Sequence, residues 1–129
     1  MNSTAKFAAA IAAALTVGVI GGTFLHAQTA TPPAYLIAEV QVHDPDTFKQ
    51  YIAALPATLA PYHVRTLTRG TPVAVDASTP PAGSYVLLAF NSMDDLKAWW
   101  NSPAYQAIIP LREKSATTRA FAVPGLPPS

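Results

Sequence analysis

The groups able to do chemistry are few enough to weigh one at a time, because only 12% of the 129 residues are charged and none is cysteine. His43 and Asp44 set an imidazole beside a carboxylate where a strand gives way to a helix. His43 there could act as a base or hold an anion, or be a solvated loop histidine. Trp99, Trp100 and Tyr105 recur at a spacing that either walls a pocket for a flat ligand or packs a helix core. Arg112 follows an apolar run, placed to grip a carboxylate through two N–H groups or to satisfy carbonyls near the helix end. Asp94 and Asp95 fall in a first helical turn, where the helix dipole favours negative charge and explains them without chemistry. None of these groups is assigned as catalytic.

What is missing narrows the field. Without cysteine there is no disulfide framework, zinc finger, iron–sulfur site or thiol nucleophile. His43 and His63, with no H-E-x-x-H pattern, give no expectation of a metal. There is no G-x-S-x-G elbow and no Gly-rich phosphate loop, so neither a serine hydrolase nor a nucleotide cofactor is expected. A formal charge of +1 lacks the cationic footprint of a nucleic-acid binder.

The elements that must position these groups follow from periodicity. In Tyr35 to Val42, Leu36, Ala38, Val40 and Val42 make one apolar strand face, with Tyr35, Ile37, Glu39 and Gln41 on the other. Asp44 is placed to cap a helix with Pro45 at its first position. Phe48, Tyr51, Ile52, Leu55 and Leu59 give that helix a buried face, and Pro56 is expected to kink or divide it. Val64 to Arg69 reads as a second strand. Thr71 to Gly83 reads as a hairpin or an irregular connection, and Ser84 to Phe90, apolar on both faces, as a central strand. Ser92 and Asp95 start another helix in the manner of a capping box. Asn101-Ser102-Pro103 interrupts and restarts it, and Thr118 to Val123 closes the domain as a strand.

This βαββαβ order predicts an α+β, ferredoxin-like sandwich with one sheet and both helices on a single face. The uncovered face would carry Tyr35, Ile37, Leu67 and Phe121, too apolar for water, so a second copy is expected to cover it and form a dimeric α/β barrel. Glu39 is the one carboxylate in mid-strand on that face. Antiparallel pairing of the first and last strands would bring Arg119 towards it, with Arg65 and Arg69 as more distant alternatives. An ionised Glu there needs a cation, either as a buried ion pair setting register or within a ligand site inside the barrel.

The ends have a different character. Met1 to Lys6 is polar with one Lys, and Phe7 to Leu25 carries no charge. That is the layout of a signal peptide, residues 1–27, cut after Ala27 or else Ala30; an uncleaved membrane anchor is the alternative. A Pro-rich linker is expected over 28–34, a folded domain over 35–123 and a disordered tail over 124–129. The processed protein is expected to be periplasmic or secreted, with no membrane contact after cleavage.

The stretches YLIAEVQVHDPDTFKQY, the Arg69-Gly70 pair and above all AWWNSPAYQAIIPLR, Ala98 to Arg112, resemble the bacterial DUF 1330 family, a domain of unknown function among the dimeric α/β barrels. His63 stands where that family commonly has Gly. The resemblance implies a homodimer without a cofactor. The family supplies no reaction; the residues themselves give the expectation of a pocket between sheet and helices for an aromatic or carboxylated small molecule, with Glu39, His43, Arg69, Tyr105 and Arg112 as its candidate contacts. Related barrels imply two alternatives, a cofactor-free enzyme of monooxygenase-like type and a non-enzymatic structural or stress-related module.

Overall fold

The computed structural model describes residues 30–129, so the expected signal peptide and the start of the linker lie outside the described residues. The order is β1 (Ala34–Val42), α1 (Pro45–Leu59), a 3-10 turn (Ala60–Tyr62), β2 (Arg65–Gly70), β3 (Ser84–Phe90), α2 (Met93–Trp100), α3 (Pro103–Ser115) and β4 (Ala116–Pro124). The strands form one antiparallel sheet in the order β2-β3-β1-β4. This is the expected α+β, ferredoxin-like topology, with an open sheet in the single chain.

Each helix starts where the sequence supplies an acceptor. Asp44 caps α1 by accepting from Thr47 N–H (3.2 Å) and Thr47 Oγ1 (2.6 Å). Ser92 accepts from Asp95 N–H (3.0 Å), and Ser102 from Tyr105 N–H (3.2 Å), so the break between α2 and α3 is a second capped start. The expected division of α1 at Pro56 does not occur. Pro56 is exposed, so its missing N–H removes one ladder bond on the solvent side without ending the helix. The chain turns instead at His63, whose φ of 51° is left-handed and would suit a glycine without strain. Residues 71–83 form the irregular connection rather than a hairpin.

Two boundaries also move. β1 begins at Ala34, which is fully buried, and β4 runs on to Pro124. Beyond it, Gly125 N–H donates to Pro33 O (2.7 Å), and a Cβ at Gly125 would sit 2.7 Å from the Pro33 ring. The first and last described strands are therefore laced together at their outer ends.

The core lies between the helices and the face of β1 that carries Leu36, closed by Leu88 and Phe90 of β3, Leu96 and Trp99 of α2, Tyr105 of α3 and Tyr51 and Leu55 of α1. Its polar atoms are chained. Trp99 Nε1 donates to Thr58 Oγ1 (3.0 Å), which donates to Leu55 O (2.8 Å), so a buried indole N–H and a buried hydroxyl satisfy one another. At the other end of the helical layer, Ser115 O accepts from both His43 N–H (2.9 Å) and Asp44 N–H (3.0 Å), tying the β1–α1 junction to the end of α3.

Candidate functional site

A cavity of about 170 Å³ lies between the helices and the inner sheet face. Its floor is apolar, from Leu36, Ala38 and Val40 of β1 and Val86 and Leu88 of β3. Tyr51 of α1, Trp99 and Trp100 of α2 and Tyr105 and Arg112 of α3 form its roof, and Arg69 reaches it from β2. The two arginines are its charged side chains; no Asp or Glu lines it.

Arg112 is held by aromatic groups. Its Nη1 donates to Tyr105 OH (2.9 Å), and Tyr105 OH lies 3.3 Å from Tyr51 OH. The guanidinium carbon is 5.3 Å from the Trp100 ring centroid and 6.0 Å from that of Tyr105, within cation–π range. Tyr105 in turn packs on Trp99, with centroids 4.0 Å apart, and is 1% exposed. Burial, reinforced by the neighbouring Tyr105, pushes the Tyr51 phenol far above its ordinary value, so Tyr51 remains a protonated hydroxyl. Arg112 Nε is the one buried side-chain nitrogen or oxygen among the described residues with no hydrogen-bond partner. Such an atom is costly to bury unless something accepts from it.

The candidate residues separate into two groups. Arg69, Tyr105 and Arg112 meet at the cavity. Trp99 is both core and wall, so the two readings of the aromatic run are compatible. Arg112 turns to Tyr105 OH rather than to carbonyls at the helix end. Glu39 and His43 do not join them. Glu39 projects from the opposite face of β1, where it pairs with Arg119. His43 is exposed beyond the strand end and does not line the cavity. The reason in each case is backbone geometry. Alternation along β1 sends Glu39 away from the helices, and the His43 N–H is used to anchor the β1–α1 junction on Ser115.

Tyr51 also lines the cavity, although its helical spacing marks it only as core. The signal available was its type. A tyrosine on a buried helix face needs a partner for its hydroxyl, which Phe or Leu would not. Among the described residues no group of three or more His, Asp or Glu is placed to hold a metal ion, and no helix is long and apolar enough to cross a membrane.

The fold has solved relatives. A protein of unknown function from Rhodopseudomonas palustris is similar at TM-score 0.60 and 12% identity, over 79% of this chain and 88% of that one. The cofactor-independent oxygenase SnoaB from Streptomyces nogalater is similar at 0.51 and 16%, over 72% and 92%. A dimeric ferredoxin-like protein of unknown function from Thermobifida fusca is similar at 0.51 and 19%, over 73% and 92%. At these identities the likeness is one of fold. No curated protein matches. The family model for the domain of unknown function DUF1330 matches residues 33–126, so it takes in every strand and helix described above, and the chain belongs to that family.

Proposed function

We propose that the protein binds a small anionic molecule, aromatic or carboxylated, in the cavity between sheet and helices. The observation that carries this reading is Arg112. Arg112 lines a largely apolar cavity that contains no acidic side chain, and among the described residues no carboxylate pairs with it. A ligand anion would supply the missing counter-charge. Native mass spectrometry of protein purified from its own host tests it. The expected result is a co-purifying acid at one per chain, lost in Arg112→Ala. A neutral or cationic occupant would overturn the reading.

The binding unit in this reading is a homodimer closed through the outer sheet face into a dimeric α/β barrel. Phe121 (51% exposed) and Val123 (38% exposed) lie beside Ile37 and Tyr35 of β1 on that face. A domain this small buries only about 60% of its surface alone, which leaves a covered face worth much to it. Light scattering should give twice the processed mass, and a monomer at micromolar concentration would sink the barrel. The Lys6 start, the uncharged stretch and Ala27 support export, with the protein beginning near Gln28. Intact mass of the exported protein decides it. A species that retains residues 1–27 in the membrane fraction would be an anchored protein instead.

A further inference from the structure

A narrower statement about the same cavity rests on the anion-binding reading above: we propose that the ligand is a ring acid with a hydroxyl group on the side of the ring away from its carboxylate, the carboxylate meeting the helical roof and the hydroxyl the sheet. The register of the sheet supplies the first observation. Val40 of β1 stands opposite both Ser84 of β3 and Thr118 of β4, so the three side chains form one row across the inner face, and all three line the cavity. Two strand spacings set Ser84 and Thr118 about 10 Å apart, one on either side of Val40. The hydroxyls of Thr58, Ser102 and Ser115 are spent on protein groups, the carbonyls of Leu55, Trp99 and Leu111. Those of Ser84 and Thr118, both half-buried, bond no group among the described residues.

The roof has the other hydrogen-bonding character. Arg112 can only donate. Its Nη1 is given to Tyr105 OH and its Nε is sealed, whereas Nη2 is neither bonded nor sealed. Tyr51 and Tyr105 share one hydrogen bond between two hydroxyls, which leaves one phenolic hydrogen over. The roof therefore presents an N–H and an O–H beside a positive charge, a set that suits a carboxylate. The floor hydroxyls accept as well as donate, so they are matched by a group that carries a hydrogen, which a carboxylate lacks. Between the two layers the cavity is walled by Leu36, Leu88, Trp99 and Trp100, and its volume of about 170 Å³ is of the order of the apolar cavity of about 150 Å³ that takes up one benzene. The body that joins the two polar groups is accordingly a single apolar ring. Arg69, exposed and opposite Val86 in the row next to Ser84, adds charge on the β2 side.

Calorimetric titration of the full chain with para-hydroxybenzoate, para-methylbenzoate and ortho-hydroxybenzoate tests the proposal. The methyl compound replaces the hydroxyl with an apolar group of similar size, and the ortho compound moves it beside the carboxylate, to which it then bonds. Para-hydroxybenzoate is expected to bind at one per chain with Kd below about 1 mM, and each of the other two at least about fivefold more weakly. In the Ser84→Ala/Thr118→Val double variant the preference for para-hydroxybenzoate over para-methylbenzoate should disappear, since the groups that read the hydroxyl are gone. Should that variant not fold, the comparison of the acids on the unaltered chain still decides. Equal or tighter binding of either comparison acid, a preference that survives in the double variant, or no binding of para-hydroxybenzoate up to about 10 mM would each overturn the proposal. A co-purifying acid that carries no hydroxyl would overturn it and leave the anion-binding reading standing. A neutral co-purifying compound would overturn both.

Discussion

Glu39 and Arg119 stand directly opposite each other on β1 and β4, and the carboxylate accepts from both Nε and Nη2 of the guanidinium. The pair is asymmetric. In the single chain the Glu39 side chain is 17% exposed and that of Arg119 73%, so the acid is already largely withdrawn from water while its partner is not. The hydrogen bonds and charge of Glu39 hold the Arg119 guanidinium above its ordinary value. A second copy laid on this face would bury the cation too, where each charge depends on the other. Glu39→Gln is therefore expected to raise the dimer dissociation constant by roughly tenfold or more, measured by sedimentation equilibrium. Affinity for the co-purifying acid, measured at a concentration where the dimer is assembled, should not change, since Glu39 does not line the cavity. Loss of ligand with the dimer intact would instead make Glu39 a binding residue.

That pair was legible from sequence because it needs only two things, alternation along β1 and the neighbourhood of first and last strands in a ferredoxin-like order. The caps at Asp44 and Ser92, and the restart at Asn101-Ser102-Pro103 where Ser102 proves to be the cap, were legible for a similar reason, since a cap is decided within four residues. What was not legible depends on residues far apart in the chain. Trp99 and Thr58 are 41 positions apart, and Tyr51 and Tyr105 are 54 apart. Nothing local says that a Tyr on α1 meets a Tyr on α3, or that Arg112 would be left with an unpartnered Nε. Sequence could nominate Arg112 as a carboxylate grip. It could not place Arg112 at the same cavity as Arg69 while sending Glu39 to the other face.

The Thr58 hydroxyl links the buried Trp99 N–H to the Leu55 carbonyl oxygen. Thr58→Val keeps the shape and deletes the acceptor, so the Trp99 N–H, on a residue 1% exposed, loses its partner. A loss of about 1–3 kcal/mol in unfolding free energy is expected, read as a lower urea midpoint with an unchanged slope. The Thr58→Val/Trp99→Phe double variant should lose less in total than the two single losses added together, because the orphaned donor is gone. Full additivity would mean that the hydrogen bond contributes nothing.

Acid should weaken the start of α1. Thr47 holds the Asp44 carboxyl below its ordinary value, chiefly through its hydroxyl and then through its backbone N–H. The folded value therefore lies under the unfolded one, close to 3.8. Stability from this cap is fully present above that unfolded value and is lost as pH falls through the folded one. Asp44→Ala should lower Tm by a constant amount from about pH 7 to pH 5, and the gap from wild type should close below about pH 4. A gap that stays constant down to pH 3 would show that the cap does not depend on the ionised carboxylate.

Arg69 and Arg112 line the same cavity but should contribute unequally. Arg69 is exposed on β2, the edge strand, where water and salt screen it. Arg112 is half-buried, fixed against Trp100 and Tyr105, and has a nitrogen sealed from solvent. A screened charge attracts an anion over distance without fixing its position. Arg69→Ala is accordingly expected to weaken binding of the co-purifying acid only about two- to fivefold at low salt, an effect that fades above about 0.5 M NaCl. The loss on Arg112→Ala should persist there, because its guanidinium is held against Trp100 and Tyr105, partly shielded from salt. Titrations of both variants at low and high salt separate the two roles. If the Arg69 effect were the larger and insensitive to salt, the anion would be seated at the β2 end of the cavity, and Arg112 would be a positioning residue for Tyr105.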